Sequence, residues 1–212
     1  MSNALVTDEW ILSYAAGGLD QGHALLVATQ AAMRPEVRRK VSEAEAVGGA
    51  LLETSATMPV SDGLLDKILS RLPEAEPEER PQVKITGLPA PLADYLGCGL
   101  EDLDWRFMGP GLKNVRLWTG PRGERLWLLR ATGGITIPEH GHRGVEMTLV
   151  LRGRYHCGAE SFGPGDMDLA DDDKIHQPVI DPGEDCICLV LTEAPLRFNS
   201  LIARIAQPLI GL

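Results

Sequence analysis

Four residues whose types and spacing suit metal chemistry stand in the second half of the chain: His140, His142 and Glu146 close together, and His176 further on. Imidazole nitrogens and carboxylate oxygens are donors that zinc, iron, manganese and nickel all accept. On an extended strand, side chains two residues apart share a face. His140, His142 and Glu146 have that parity, so one strand carrying them directs all three inward, provided no bulge intervenes. His176 follows a Gly165-Asp166 turn and the strand DMDLA, and brings a fourth ligand from elsewhere in the sheet. Four protein ligands close a tetrahedral zinc site, or leave two positions open on octahedral iron or manganese. The first is structural or sensory; the second could be catalytic. His156 lies outside the pattern and reads as a surface residue.

Two further groups bear on chemistry. Cys186 and Cys188 share one strand face, opposite Ile187, Leu189 and Leu191, and are a candidate redox pair. Free cysteines are also common small core residues, and that reading is the favoured one. Together with Cys98 and Cys157 they are expected as thiols in a reducing compartment, not as a disulfide framework. Arg34, Arg38, Arg39 and Lys40 form a basic cluster that could face an acidic partner or simply water.

The elements that must position these groups fall into two halves. Thr7 caps a first helix with Asp8 and Glu9 in its opening turn, and Gly17-Gly18 stops it. Asp20 starts a second helix, HALLVATQAAM, apolar around much of its circumference and so buried. Pro35 opens a third, which Gly48-Gly49 weakens without necessarily ending it. Ser61 is expected to cap a fourth, with Leu64, Leu65, Ile68, Leu69 and Leu72 as a stripe and Pro73 as its end. The stretch PEAEPEERPQ is then a solvated linker by composition. Beyond it VRLWTG, ERLWLLRA, EMTLVLRG, DMDLA and DCICLVLT read as short strands between glycine turns, the texture of a sandwich or jelly roll.

The expectation is thus an α+β chain of two domains: a small bundle of about four helices over residues 1–72, a linker over 73–87, and an all-β barrel over 88–212. With 212 residues, 44% of them hydrophobic and 24% charged, the composition is that of an ordinary globular protein. A net charge of -10 argues against direct nucleic-acid binding, and an acidic regulator of transcription more readily acts on another protein. No apolar run nears the roughly 20 residues of a membrane span, and the N-terminus lacks the pattern of a secretory signal, so no membrane contact and a cytoplasmic location are expected.

The spacing around the ligands is specific. Gly134, His140, His142, Glu146 and Gly153 match the first motif of the cupin superfamily at every position. The second motif matches in part: Gly165 and His176 stand at the expected separation, but Asp171, Asp173 and Ile180 replace the usual proline, glycine and asparagine. The barrel therefore resembles a cupin with its ligands intact. A closer resemblance covers nearly the whole chain. TDEWILSYAAG, AVGGALLE, PLADYLG, HGHRGVEMTLVLRG, DCICL and APLRFNS are similar to the corresponding stretches of ChrR-type anti-sigma factors.

That resemblance implies a helical domain that clamps an extracytoplasmic-function sigma factor and covers its polymerase-binding surfaces. It also implies a metal-bound cupin that transmits an oxidant signal such as singlet oxygen. The expected cofactor is one divalent transition metal, zinc first, with iron, manganese or nickel as alternatives; homodimerisation stays open. The family's helical domain carries a second zinc through an upstream histidine and a His-x-x-x-Cys-x-x-Cys motif. At the matching positions this chain has Leu5, Gln30, Arg34 and Val37, so a zinc-free helical domain is expected, held partly by apolar packing of Leu5 and Val37. The competing reading is a cupin metalloenzyme of dioxygenase or isomerase type with a helical appendage, since one fold hosts many chemistries.

Overall fold

The computed structural model describes residues 5–72 and 87–194, and the backbone of residues 197–198. Most of the stretch read as a linker, and the end assigned to Pro73, lie outside the described residues.

Helix α1 runs Asp8–Ala15, α2 Gln21–Met33 and α3 Pro35–Glu53. The Asp20 side chain accepts the His23 backbone N–H at 3.0 Å, which satisfies one of the orphan donors at the start of α2. Thr7 occupies the cap position of α1 in extended conformation, but its hydroxyl makes no capping bond. Gly48-Gly49 do not interrupt α3. The fourth helix differs from expectation: α4 covers only Leu64–Leu69, and its N-cap is Gly63, not Ser61. Gly63 turns the chain at φ +70°, a conformation costly for a residue with a Cβ, while Ser61 contributes only its carbonyl to the Leu64 N–H. A further helix, α5 (Ala90–Leu96), precedes the strands.

The strands are β1 Arg106–Gly109, β2 Leu112–Thr119, β3 Arg125–Ala131, β4 His140–Gly141, β5 Glu146–Arg152 and β6 Tyr155–Cys157. They continue as β7 Glu160–Phe162, β8 Met167–Ala170, β9 Val179–Ile180, β10 Cys186–Thr192 and β11 Arg197–Phe198. A six-stranded sheet is ordered β1-β2-β3-β10-β5-β8, a smaller one β7-β6-β9, and β11 pairs with β4. All pairings are antiparallel.

Strand parity gives the large sheet two apolar faces. Its inner face carries Trp127, Val150, Cys186, Cys188 and Val190, which pack with Tyr155, Phe162 and Ile180 of the small sheet. Its outer face carries Leu126, Leu128, Met147, Leu149, Leu189 and Leu191. Those side chains share one core with Leu26 and Val27 of α2, Val37 and Val41 of α3, and Leu92 of α5. The run CICLVLT is buried at all of its positions for this reason: it is a central strand with protein on both sides. Helices α2, α3 and α5 therefore share a core with the barrel.

The closest approach is at Gly22, where an added Cβ would lie 2.5 Å from Trp118 Cε3. Gly22→Ala is expected to lower stability by about 1–2 kcal/mol, because overpacking there outweighs alanine's helix propensity. Urea unfolding checks this, and an unchanged midpoint would mean that α2 is not seated on Trp118.

Candidate metal centre

Inward parity on the barrel strands brings the four expected ligands to one point. His140 stands on β4 and forms a two-way backbone bridge with His176: each N–H donates to the other's carbonyl, at 3.1 and 3.0 Å. His142 follows β4, and Glu146 begins β5. The single strand expected to carry the first three ligands does not form. Residues 143–145 leave the sheet, with Gly144 at φ +78°. The freed amides are taken by carboxylates: Gly144 N–H donates to Asp172 Oδ1 at 2.6 Å and Val145 N–H to Glu193 Oε2 at 2.9 Å. The excursion is compensated, and the three side chains still converge.

The donor atoms of His140, His142, Glu146 and His176 all lie within 4.8 Å of one another, and all four residues are buried. His176 Nε2 is 3.0 Å from His140 Nε2 and 3.1 Å from His142 Nε2. His140 Nδ1 lies 2.9 Å from the Pro138 carbonyl, which selects the tautomer with the proton there and leaves an Nε2 lone pair facing the centre. His142 Nδ1 is buried without a hydrogen-bond partner among the described residues. A neutral imidazole supplies one N–H, so facing ring nitrogens cannot all be satisfied by each other. A cation between them satisfies the set.

The electrostatics agree. Burial, with the neighbouring histidines adding to it, lowers His140 and His142 to about 4. Burial and the nearby Asp168 raise Glu146 to about 8. The site thus favours neutral imidazoles at His140 and His142 and a Glu146 carboxyl that resists a buried negative charge unless a positive one joins it.

Behind His176 lies a group that sequence reasoning missed. Asp168, on β8, accepts from Tyr155 Oη at 3.1 Å and from Lys174 Nζ at 2.5 Å, and its Oδ2 is 3.7 Å from His176 Nδ1. Burial alone would raise Asp168, but its interactions with the His176 ring and the Lys174 ammonium outweigh it and hold the carboxyl below its ordinary range. Cys157 Sγ lies 3.9 Å from the same ring nitrogen. The signal was present in DMDLA, where an aspartate occupies an inward position between two apolar outward ones.

The other candidates are placed as follows. Cys186 and Cys188 are buried free thiols with sulfurs 3.7 Å apart on the inner face. The hydrogen bond with Cys186, then burial, pushes the Cys188 thiol well up, which disfavours a reactive thiolate. His156 is outside the cluster and pairs with Asp181 at 3.0 Å. Of the basic cluster, Arg34 pairs with Asp166 at 3.0 Å, Arg39 with Glu43 at 2.6 Å and Lys40 with Asp8 at 2.5 Å, while Arg38 is an exposed residue of α3. Gln30 is fully buried: its Oε1 accepts from Val6 N–H and its Nε2 donates to the Gly165 carbonyl, both at 3.0 Å. Val37 is equally buried, and Leu5 packs against the same core. Amide hydrogen bonds and aliphatic packing thus join these helices. No described helix is long and apolar enough to cross a membrane.

Comparison with known proteins extends the geometry to the whole chain. Residues 95–195 match the ChrR cupin-like domain. The anti-sigma-E factor ChrR of Cereibacter sphaeroides is 42% identical over 205 residues, spanning 96% of this chain and 95% of that protein. The crystal structure of Rhodobacter sphaeroides SigE in complex with the anti-sigma ChrR contains a similar chain. It superimposes with a TM-score of 0.78 at 39% identity, covering 89% of this chain and 97% of that one. With 96% of its length matched at 42% identity, this chain belongs to the ChrR family of anti-sigma factors.

Proposed function

We propose that the protein binds and inhibits an extracytoplasmic-function sigma factor through its helices. In this reading the barrel holds one zinc ion on His140, His142, Glu146 and His176 and relays an oxidant signal such as singlet oxygen. The observation that carries the sigma-binding reading is an apolar surface without a partner among the described residues. Leu51 and Leu52 at the end of α3 are 65% and 74% exposed, and Leu65, Ile68 and Leu69 of α4 are 66%, 51% and 53% exposed. Exposed apolar side chains of this kind are a feature of interaction sites, and an apolar stripe on a helix is the anchor of helix-in-groove recognition. The protein is a regulator, not an enzyme: the relative matched over 95% of its length is an anti-sigma factor. A donor set of three imidazoles and one carboxylate, closed within the protein, fits zinc as a structural or sensory ion.

The test is co-purification of the full chain with an extracytoplasmic-function sigma factor of the same organism, with and without chelator. The expected result is a one-to-one complex that survives the chelator, because hydrogen bonds and packing join α2 to its neighbours and Leu5, Gln30, Arg34 and Val37 offer no zinc ligand set. A folded chain that captures no such sigma factor overturns the reading.

A further inference from the structure

We propose that the turn before β8 and the strand itself form a rigid link between the helices and the metal centre, so that metal occupancy sets how firmly α2 and α3 hold the barrel. The inference rests on the reading of His140, His142, Glu146 and His176 as metal ligands.

One end of the link is gripped by the helices. The buried amide of Gln30 holds the Gly165 carbonyl, and Arg34 Nη1 lies 3.0 Å from Asp166 Oδ1. The methylenes of Arg34 lie so close to Gly165 that a Cβ there would be 2.8 Å from Cδ. The turn has little freedom of its own. Gly165 N–H donates to the Val150 carbonyl at 2.8 Å and Val150 N–H to the Asp166 carbonyl at 3.0 Å. The second Asp166 carboxylate oxygen accepts Gly163 N–H at 2.9 Å, so one carboxylate joins Arg34 to the turn.

The other end reaches the metal centre. Asp168 is two residues on, in an extended strand paired Thr148 to Asp168 with β5, and a strand transmits displacement along its length with little slack. Its carboxylate faces His176 Nδ1, on the opposite side of the ring from the Nε2 that joins the ligand cluster. Cys157, Asp168 and His176 have the donor types of a second metal group, but the ammonium of Lys174 already supplies the cation there. Asp168 is therefore a positioning residue for His176. A cation held at Nε2 would draw charge from the ring and strengthen the attraction between Nδ1 and the Asp168 carboxylate 3.7 Å away. That would draw Asp168 toward the ring, and the coupling would be reciprocal: whatever loosens the grip of Gln30 and Arg34 would weaken metal binding by the same factor that metal strengthens the grip.

Hydrogen exchange of the full chain, with and without zinc, tests this beside zinc affinity measured by competition with a chromogenic chelator. In the unaltered chain, zinc should slow exchange across α2 by about five-fold or more. Asp168→Asn should bind zinc about 10- to 100-fold more weakly and, at saturating zinc, lose the slowing in α2. Arg34→Met keeps the aliphatic packing, lies outside the metal centre, and should weaken zinc binding by the factor lost from α2 protection. Zinc binding with α2 exchange unchanged in the unaltered chain, or equal slowing in both variants, overturns the link while leaving the metal reading intact. Failure of the unaltered chain to take up zinc overturns the metal reading and the link together.

Discussion

His142→Ala is expected to abolish zinc retention: after dialysis against a weak chelator, the purified chain should fall from about one zinc to well below about a tenth of one. Four-ligand zinc sites bind with roughly 10–16 kcal/mol, so one ligand in four accounts for on the order of 3 kcal/mol, more than about a hundredfold in affinity. His142 is the informative choice because its ring does little else. Among the described residues Nδ1 has no hydrogen-bond partner and lies 3.5 Å from Glu146 Oε2, while Nε2 faces a ring nitrogen of His176. Removing the ring therefore relieves an unsatisfied buried polar group even as it opens a small cavity, and the two effects oppose each other. Thermal unfolding with chelator present should be nearly unchanged, while the rise in Tm on adding zinc should disappear. His156→Ala, which removes a ring paired with Asp181 outside the cluster, should keep both zinc and the rise. Retention of zinc by His142→Ala at the original affinity would show that the metal is held elsewhere.

The convergence of His140, His142, Glu146 and His176 was legible in the sequence because a strand's period of two is strict and its consequences survive local irregularity. His140, His142 and Glu146 converge although the strand breaks at residues 143–145, since the lost amide bonds are replaced by Asp172 and Glu193. Neither carboxylate could be assigned to that task beforehand, as both come from distant parts of the chain. The same parity separated Cys186 and Cys188 from Ile187, Leu189 and Leu191 correctly. It could not say that both faces were buried, because an apolar run alone does not reveal what covers it. The seating of the helices on the sheet was hidden for that reason. Gln30 shows the limit most clearly: in sequence it is only the absence of a metal ligand, whereas in the fold it joins Val6 to Gly165 across the interface. Gly63 supplanted Ser61 as the cap of α4 because a left-handed glycine ends the preceding turn, a backbone effect that side-chain preferences do not anticipate.

The paired substitution Leu65→Asp and Ile68→Asp should abolish sigma capture while leaving the barrel untouched. Both side chains are more than half exposed, so neither contributes to the core, and zinc content and unfolding midpoint should match those of the unaltered chain. In a groove the balance reverses. Each aliphatic side chain buried against a partner is worth about 1.5–3 kcal/mol, and a carboxylate in its place must shed water without a matching charge. Together the losses exceed about 4 kcal/mol, or roughly a thousandfold in affinity. Arg38→Glu provides the contrast. An exposed charge at the edge of an interface chiefly alters association rate and its salt dependence, so its effect should shrink as salt is raised, whereas the loss from the paired substitution should persist. Capture of sigma by the Leu65→Asp, Ile68→Asp chain with unchanged affinity would show that α4 lies outside the interface. The search would then move to the exposed end of α3, where Leu51 and Leu52 offer a further apolar surface.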